Sequence, residues 1–401
     1  MRAIRNFFSV LFIGIFTLVI GCNSKPVPMK YEDKRTEVQK QIEEFDSTYA
    51  HNVIDNRAAL AYSIDSLLKK MRKLDQFNGN ILVAYKGNII YQNAVGWANP
   101  SEKDSLNLNS MFQLASVSKT VTSTAVLLLY EQRYFKLDDK FTKYFPDFPY
   151  KNVTIKQLLN HRSGLPNYLY FNERFYPSNK IYLTNEDVYE VMVNKRIPPM
   201  FHPGARFFYN NTNYALLALL VERVSGRSYA NYVQKNIFDL IGMRSSHVEL
   251  PDEFWYRENK TYGLYPNNRK YGVDRFDGVF GDKGVYSNLE DMYLFNKALY
   301  PDVLLKESTL EEAFQNYVTE PRRIKQYGLG FRIKCGKDSC KIIYHNGWWH
   351  GYRTAFHRRP SDQSCVIVLS NRLNRSVYSI VRDVFKIIDK NSDKEEFEEE
   401  E

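Results

Sequence analysis

Short strand-like segments stand near both ends of this chain, and segments with a helical apolar period fill the middle. Toward the N-terminal end, NILVAYK and IIYQNAVG flank Gly87-Asn88 and predict a β-hairpin. Toward the C-terminal end, YGLGFRI, KIIYH, YRTAFH and CVIVLS predict further strands. Between them VSKTVTSTAVLLLYEQ, TIKQLLNH and NYALLALLVERVSG predict helices from Ser116 to about residue 250, the last closed by Gly226. Leu60, Ile64, Leu67, Leu68 and Met71 predict a helix over 57–74, and Val377, Ile380, Val381, Val384, Phe385 and Ile388 predict another at the end. Strands from opposite ends bury their apolar faces only by sharing one sheet. The expected fold class is therefore α+β: an antiparallel sheet built from both chain ends with flanking helices, plus an inserted helical lobe over about 120–260, with a cleft between sheet and lobe.

The 401 residues are ample for a buried core, and 30 Tyr and 26 Phe exclude a disordered composition. Arg2 and Arg5 precede an apolar run at 7–20, too short to span a bilayer and shaped like a secretion signal. Leu18-Val19-Ile20-Gly21-Cys22 then resembles the lipobox of bacterial lipoproteins, which implies cleavage after residue 21 and acylation of Cys22. The expected organisation is a signal peptide (1–21), a polar stalk (22–56), a catalytic domain (57–390) and an acidic tail (391–401). With two arginines in the leader and a net −6 in the tail, the formal +9 of the chain leaves +13 on the body. That charge favours anionic partners, but no nucleic-acid motif accompanies it. In an oxidising compartment Cys335 and Cys340, which bracket GKDS, are candidates for a disulfide across a hairpin. Cys365 in CVIVLS reads as a buried apolar residue.

Ser-x-x-Lys occurs twice, and context separates the copies. Ser66 and Lys69 lie on the polar side of a helix. Ser116 and Lys119 open an apolar helix, where free backbone N–H groups and the helix dipole favour developing negative charge. One turn apart on one face, hydroxyl and amine can meet, and a desolvated amine can take the serine proton. Tyr-x-Asn triplets are frequent in so Tyr-rich a chain, but the one at Tyr209 stands in PGARFFYNNTNYALLALLVERVSG, just before a buried helix in the middle lobe. Its phenol is a candidate proton shuttle, and the Asn211 amide a candidate to hold the lysine or the substrate. In His345-Asn346-Gly347-Trp348, Gly347 leaves room for an acyl group along a strand edge. The N–H of Trp348 would then pair with that of Ser116 as an oxyanion hole. The side chains of Trp348 and Trp349 would crowd the cleft, and Trp349 and Arg353 are further candidates to line the substrate site. His345, His350 and His357 have neither strand nor helix spacing for a shared metal, and no metal or cofactor is expected.

Together and in this order, these residues resemble the serine beta-lactamase and penicillin-recognising enzyme family, in its class C-like branch. The resemblance runs from about residue 77 to 371 and includes LLNHRSGL, FGDKGVYSNLEDM, YGLGF and VIVLSNR. It implies a serine beta-lactamase/transpeptidase-like fold and an acyl-enzyme on Ser116, with Lys119 and Tyr209 handling the proton. Asn211 would be a supporting amide and His345 the third-motif residue. Beta-lactamases usually carry a lysine where His345 stands, so the resemblance favours an esterase or peptidase over antibiotic hydrolysis. The expected partners are a small-molecule or peptide substrate and, through lipidated Cys22, the membrane of a bacterial cell envelope, facing the periplasm or exterior. The alternative is a penicillin-binding or sensor lipoprotein that acylates without turnover.

Overall fold

A computed structural model describes residues 35–54, 56–320, 326–335, 341–374 and 376–390. The leader, Cys22, Cys340 and the acidic tail lie outside the described residues. The main sheet has seven strands: β1 (Gly79–Tyr85), β2 (Asn88–Val95), β3 (Gln326–Tyr327), β4 (Arg332–Cys335), β5 (Lys341–Trp349), β6 (Tyr352–Arg359) and β7 (Ser364–Ser370). Their spatial order is β2-β1-β7-β6-β5-β4-β3, antiparallel throughout, so the two chain ends meet where β1 pairs with β7. Lys86 and Gly87, both at positive φ, form the two-residue turn of the first hairpin, which suits the strand twist.

Alternation along β7 explains why SCVIVLS is buried at every position. Cys365, Ile367 and Leu369 enter the core on the lobe side, while Val366 and Val368 enter the core on the other. A strand covered on both faces reads as an unbroken apolar run. The second core is closed by α2 (Arg57–Lys73) and the C-terminal helix (Ser376–Lys390), whose predicted apolar stripes are the buried ones: Leu60, Ile64 and Leu68 from one, Val377 to Ile388 from the other. Each such side chain contributes roughly 1.5–3 kcal/mol.

One expectation changes. Part of the polar stalk is α1 (Arg35–Ala50), a helix docked on the domain through Val38, Ile42 and Phe45. Phe45 lies 4.8 Å from the Tyr300 ring and Asp46 bonds Lys297 at 2.5 Å. Three apolar residues at i, i+4 and i+7 are enough for a thin contact stripe in an otherwise polar helix. The thiol of Cys335 is exposed and donates to Gln326 Oε1 at 3.4 Å, and its register partner is Lys341. The bridge expected of it involves Cys340, which lies outside the described residues.

Candidate active site

The site begins with a strained turn. Ala115 has φ +50°, a conformation costly for a residue with a Cβ, and it delivers Ser116 to the start of α3 (Ser118–Glu131). This helix is buried on all sides from Ser118 to Leu129, because its polar side chains stitch it to segment 281–285. Thr122 Oγ1 donates to Gly281 O at 2.6 Å, Lys119 Nζ to Asp282 O at 2.8 Å, and Val285 N to Ser118 Oγ at 3.2 Å. Lys119 is fully buried and its amine also donates to Ser116 Oγ at 3.0 Å. Nucleophile and amine thus meet as the Ser-x-x-Lys spacing requires. The other pair, Ser66 and Lys69, is exposed, with Lys69 bonded to Asp65.

Tyr209 arrives just before the helix Asn211–Ser225, with its ring 5.1 Å from Lys119 Nζ and 4.4 Å from the His161 ring. Among the described residues its hydroxyl makes no hydrogen bond, so the ring, not the phenol oxygen, contacts the lysine. Asn211 does not hold Lys119 either: its buried Oδ1 is without a partner among the described residues, and Lys119 Nζ donates to the Asp282 carbonyl instead.

Strand β5 lies directly on the turn. A Cβ on Gly347 would stand 2.4 Å from Leu114 O and 3.1 Å from Ala115 Cβ, and Thr354 Oγ1 donates to the same Leu114 carbonyl at 2.6 Å. Strand β4 pairs with β5 only as far as Tyr344, which leaves His345 to Trp349 unpaired on that edge. Alternation puts His345, Gly347 and Trp349 on the lobe face and Asn346 and Trp348 on the other. The Trp348 side chain therefore does not crowd the cleft: it is 59% exposed and pairs across the strands with Arg353. Arg353 is likewise displaced from the substrate site, its guanidinium 5.7 Å from the Tyr378 ring of the C-terminal helix. Trp349 remains, pinned by Nε1 donating to Asp277 Oδ1 at 2.6 Å and by the buried Lys283 amine 4.8 Å from its ring. Lys283 donates to Tyr168 OH at 2.7 Å, which donates to Asp282 Oδ2 at 2.9 Å, and desolvation lowers the pKa of this lysine.

The third-motif histidine is fully buried. Desolvation first, then the charges of Arg332 and Lys119, hold the His345 pKa well below the usual imidazole range, and His161 is depressed in the same way. His350 sits at the β5–β6 turn, 3.5 Å from Asp277, and His357 faces Asn346 on the opposite side of the sheet, so the three histidines diverge.

Sequence reasoning missed Asp282, Tyr327, Arg332 and the central place of His161. Three of these lie inside blocks read for secondary structure or family resemblance and Arg332 adjoins one, but nothing in a one-dimensional pattern brings them beside Lys119 and Tyr209. The Arg332 guanidinium lies 4.9 Å from the Tyr209 ring, half-buried, with no carboxylate bonded to it among the described residues.

The beta-lactamase family model matches residues 65–386. Penicillin-binding protein 4* of Bacillus subtilis is 33% identical over 328 residues, covering 79% of this chain and 72% of its own. A D-aminopeptidase of Brucella anthropi is 27% identical over 305 residues, 73% of this chain and 56% of its own. The crystal structure of a penicillin binding protein from Bacillus halodurans superimposes with a TM-score of 0.71 at 26% identity, over 80% of this chain and 98% of that one. The chain therefore belongs to the beta-lactamase family and is a serine hydrolase.

Proposed function

We propose that this protein cleaves a carboxylate-bearing amide or ester, of the D-amino-acid peptide class, through an acyl-enzyme on Ser116. The observation that carries the nucleophile is the 3.0 Å contact between the fully buried Lys119 Nζ and Ser116 Oγ. The amine, once neutral, takes the hydroxyl proton as Oγ attacks the substrate carbonyl. The oxyanion is met by the N–H groups of Ser116 and Trp348, and the leaving group departs with the proton. Water then attacks the ester, with the amine again as base. Tyr209, its ring against Lys119, shapes the polar side of the pocket and has its phenol free to reach a leaving group.

Arg332 supports the carboxylate. A guanidinium beside the Tyr209 ring, with no acidic partner among the described residues, supplies the cation that His345 does not, and a guanidinium can pair a carboxylate bidentately. The Trp349 indole supplies an apolar wall for the acyl side. The relatives named penicillin-binding protein and D-aminopeptidase agree with this substrate class. Lipid anchoring through Cys22, outside a bacterial cytoplasmic membrane, completes the reading. Its support is the 18–22 sequence, and a Cys22→Ser protein that still partitions into detergent would contradict it.

A panel of D-amino-acid peptides, their C-terminal amides, short-chain esters and beta-lactams tests the substrate class. Steady turnover of the free-carboxylate peptides at about tenfold or more above their amides is expected, the size of one charged hydrogen-bond pair. Equal turnover of acid and amide, or a burst with no steady state, would overturn it.

A further inference from the structure

Behind the catalytic side chains lies a hydrogen-bonded chain with one direction. At one end the backbone N–H of Asn210 points at His161 Nδ1 at 3.2 Å. A backbone N–H only donates, so Nδ1 carries a lone pair and the His161 proton sits on Nε2. The Asn213 amide nitrogen adds a second donor to Nδ1 at 3.2 Å, its orientation fixed because Ser163 Oγ donates to its oxygen at 2.6 Å. His161 Nε2–H therefore donates to Tyr327 OH at 3.2 Å. At the other end His345 Nδ1 is 2.8 Å from the Asn346 carbonyl, which only accepts, so His345 carries its proton on Nδ1. His345 Nε2 is then the acceptor, and the Tyr327 hydroxyl 3.2 Å away donates to it. All three side chains are fully buried.

We propose that Tyr327 is a positioning residue: held between His161 and His345, it commits both nitrogens of each imidazole and keeps His345 an uncharged side chain beneath the cleft that offers substrate no hydrogen bond. This rests on the serine-hydrolase reading and refines it, since it leaves substrate charge to Arg332 alone. The groups facing the chain agree. Lys119 and Arg332 lie beside both histidines, His357 lies behind His345, and the Tyr209 ring packs on both; each cation opposes an imidazolium. Tyr214, also adjacent, spends its own proton on Leu159 O at 2.8 Å, so it offers Tyr327 only a second acceptor besides His345 Nε2.

The test is ring-nitrogen NMR of the full chain labelled with 15N-histidine, with signals assigned through His161→Gln and His345→Gln. The expected result is the Nε2–H tautomer at 161 and the Nδ1–H tautomer at 345, neither titrating between about pH 5 and pH 8. An Nε2–H His345, or one that titrates in that window, would overturn the proposal even if Tyr327→Phe does not fold. Where that variant folds, its His345 signals should average between tautomers. Its kcat should then fall about tenfold, the size of one lost orienting hydrogen bond, with KM little changed. Unchanged signals and kcat would count against it. Fluorophosphonate labelling of Ser116 in the same samples reports on the nucleophile separately, so a failure of the histidine chain is not confused with a failure of the hydrolase reading.

Discussion

Gly347→Ala should separate the catalytic turn from the strand that completes it. The new Cβ would stand 2.4 Å from Leu114 O and 2.2 Å from Thr354 Oγ1, whereas ordinary contact begins near 3.4 Å. Thr354 can rotate, at the cost of the bond it makes to Leu114 O. The Leu114 carbonyl is backbone and cannot, so β5 and the turn must part by about 1 Å. Overpacking of this kind costs about 1–3 kcal/mol, and a shift of about 1 Å between reacting groups costs about a hundredfold in rate. Thermal unfolding should show a Tm lower by a few degrees, at about 2 °C per kcal/mol for a domain of this size. Stopped-flow acylation by a fluorophosphonate should slow by about two orders of magnitude, because the Trp348 N–H retreats from the oxyanion. Gly272→Ala is the control, since a Cβ there meets nothing within 4 Å. A Gly347→Ala protein that acylates at the wild-type rate would refute the oxyanion geometry, whatever its Tm.

Lys119→Met, which keeps the volume and removes the base, should lower kcat/KM by roughly a hundred- to ten-thousand-fold in steady-state assays. Arg332→Met should cost about tenfold or more on free-carboxylate substrates and little on neutral esters; equal losses on both would remove it from substrate recognition. Burial pushes the Asp291 carboxyl up to about 6, despite hydrogen bonds from Ser245 N and Ser246 Oγ. The folded state therefore holds a proton that the unfolded chain releases near pH 4, so this stabilisation is full below that point. It is lost as pH rises from about 4 to 6, by about 3 kcal/mol. Asp291→Asn should flatten that part of the stability–pH curve measured by denaturant unfolding. An unchanged slope would refute the assignment.

The sheet was legible because both of its faces are buried: alternation and unbroken apolar runs have no other use, and the two bracketing helices announced themselves by their stripes. The pairing of Ser116 with Lys119 was legible because a helix fixes the distance between i and i+3. What escaped the sequence depends on contacts between distant segments. Asp282 acts through its carbonyl, a group every residue has, so no residue type marks it. Trp348 and Arg353 looked like cleft residues because they neighbour His345 and Gly347, but one step along a strand turns a side chain to the opposite face. Arg332, on the neighbouring strand, is the arginine that lies beside the Tyr209 ring. The docked α1 shows the limit of composition: Val38, Ile42 and Phe45 are too few to stand out in a polar segment, yet enough to bind it to a waiting surface.

The most direct test is intact mass and peptide mapping after reaction with a fluorophosphonate, in the native chain and in Ser116→Ala. One adduct per chain, mapping to the peptide that holds Ser116 and absent from the variant, is the predicted result. An adduct that survives in Ser116→Ala, or that maps to another residue, would contradict the account.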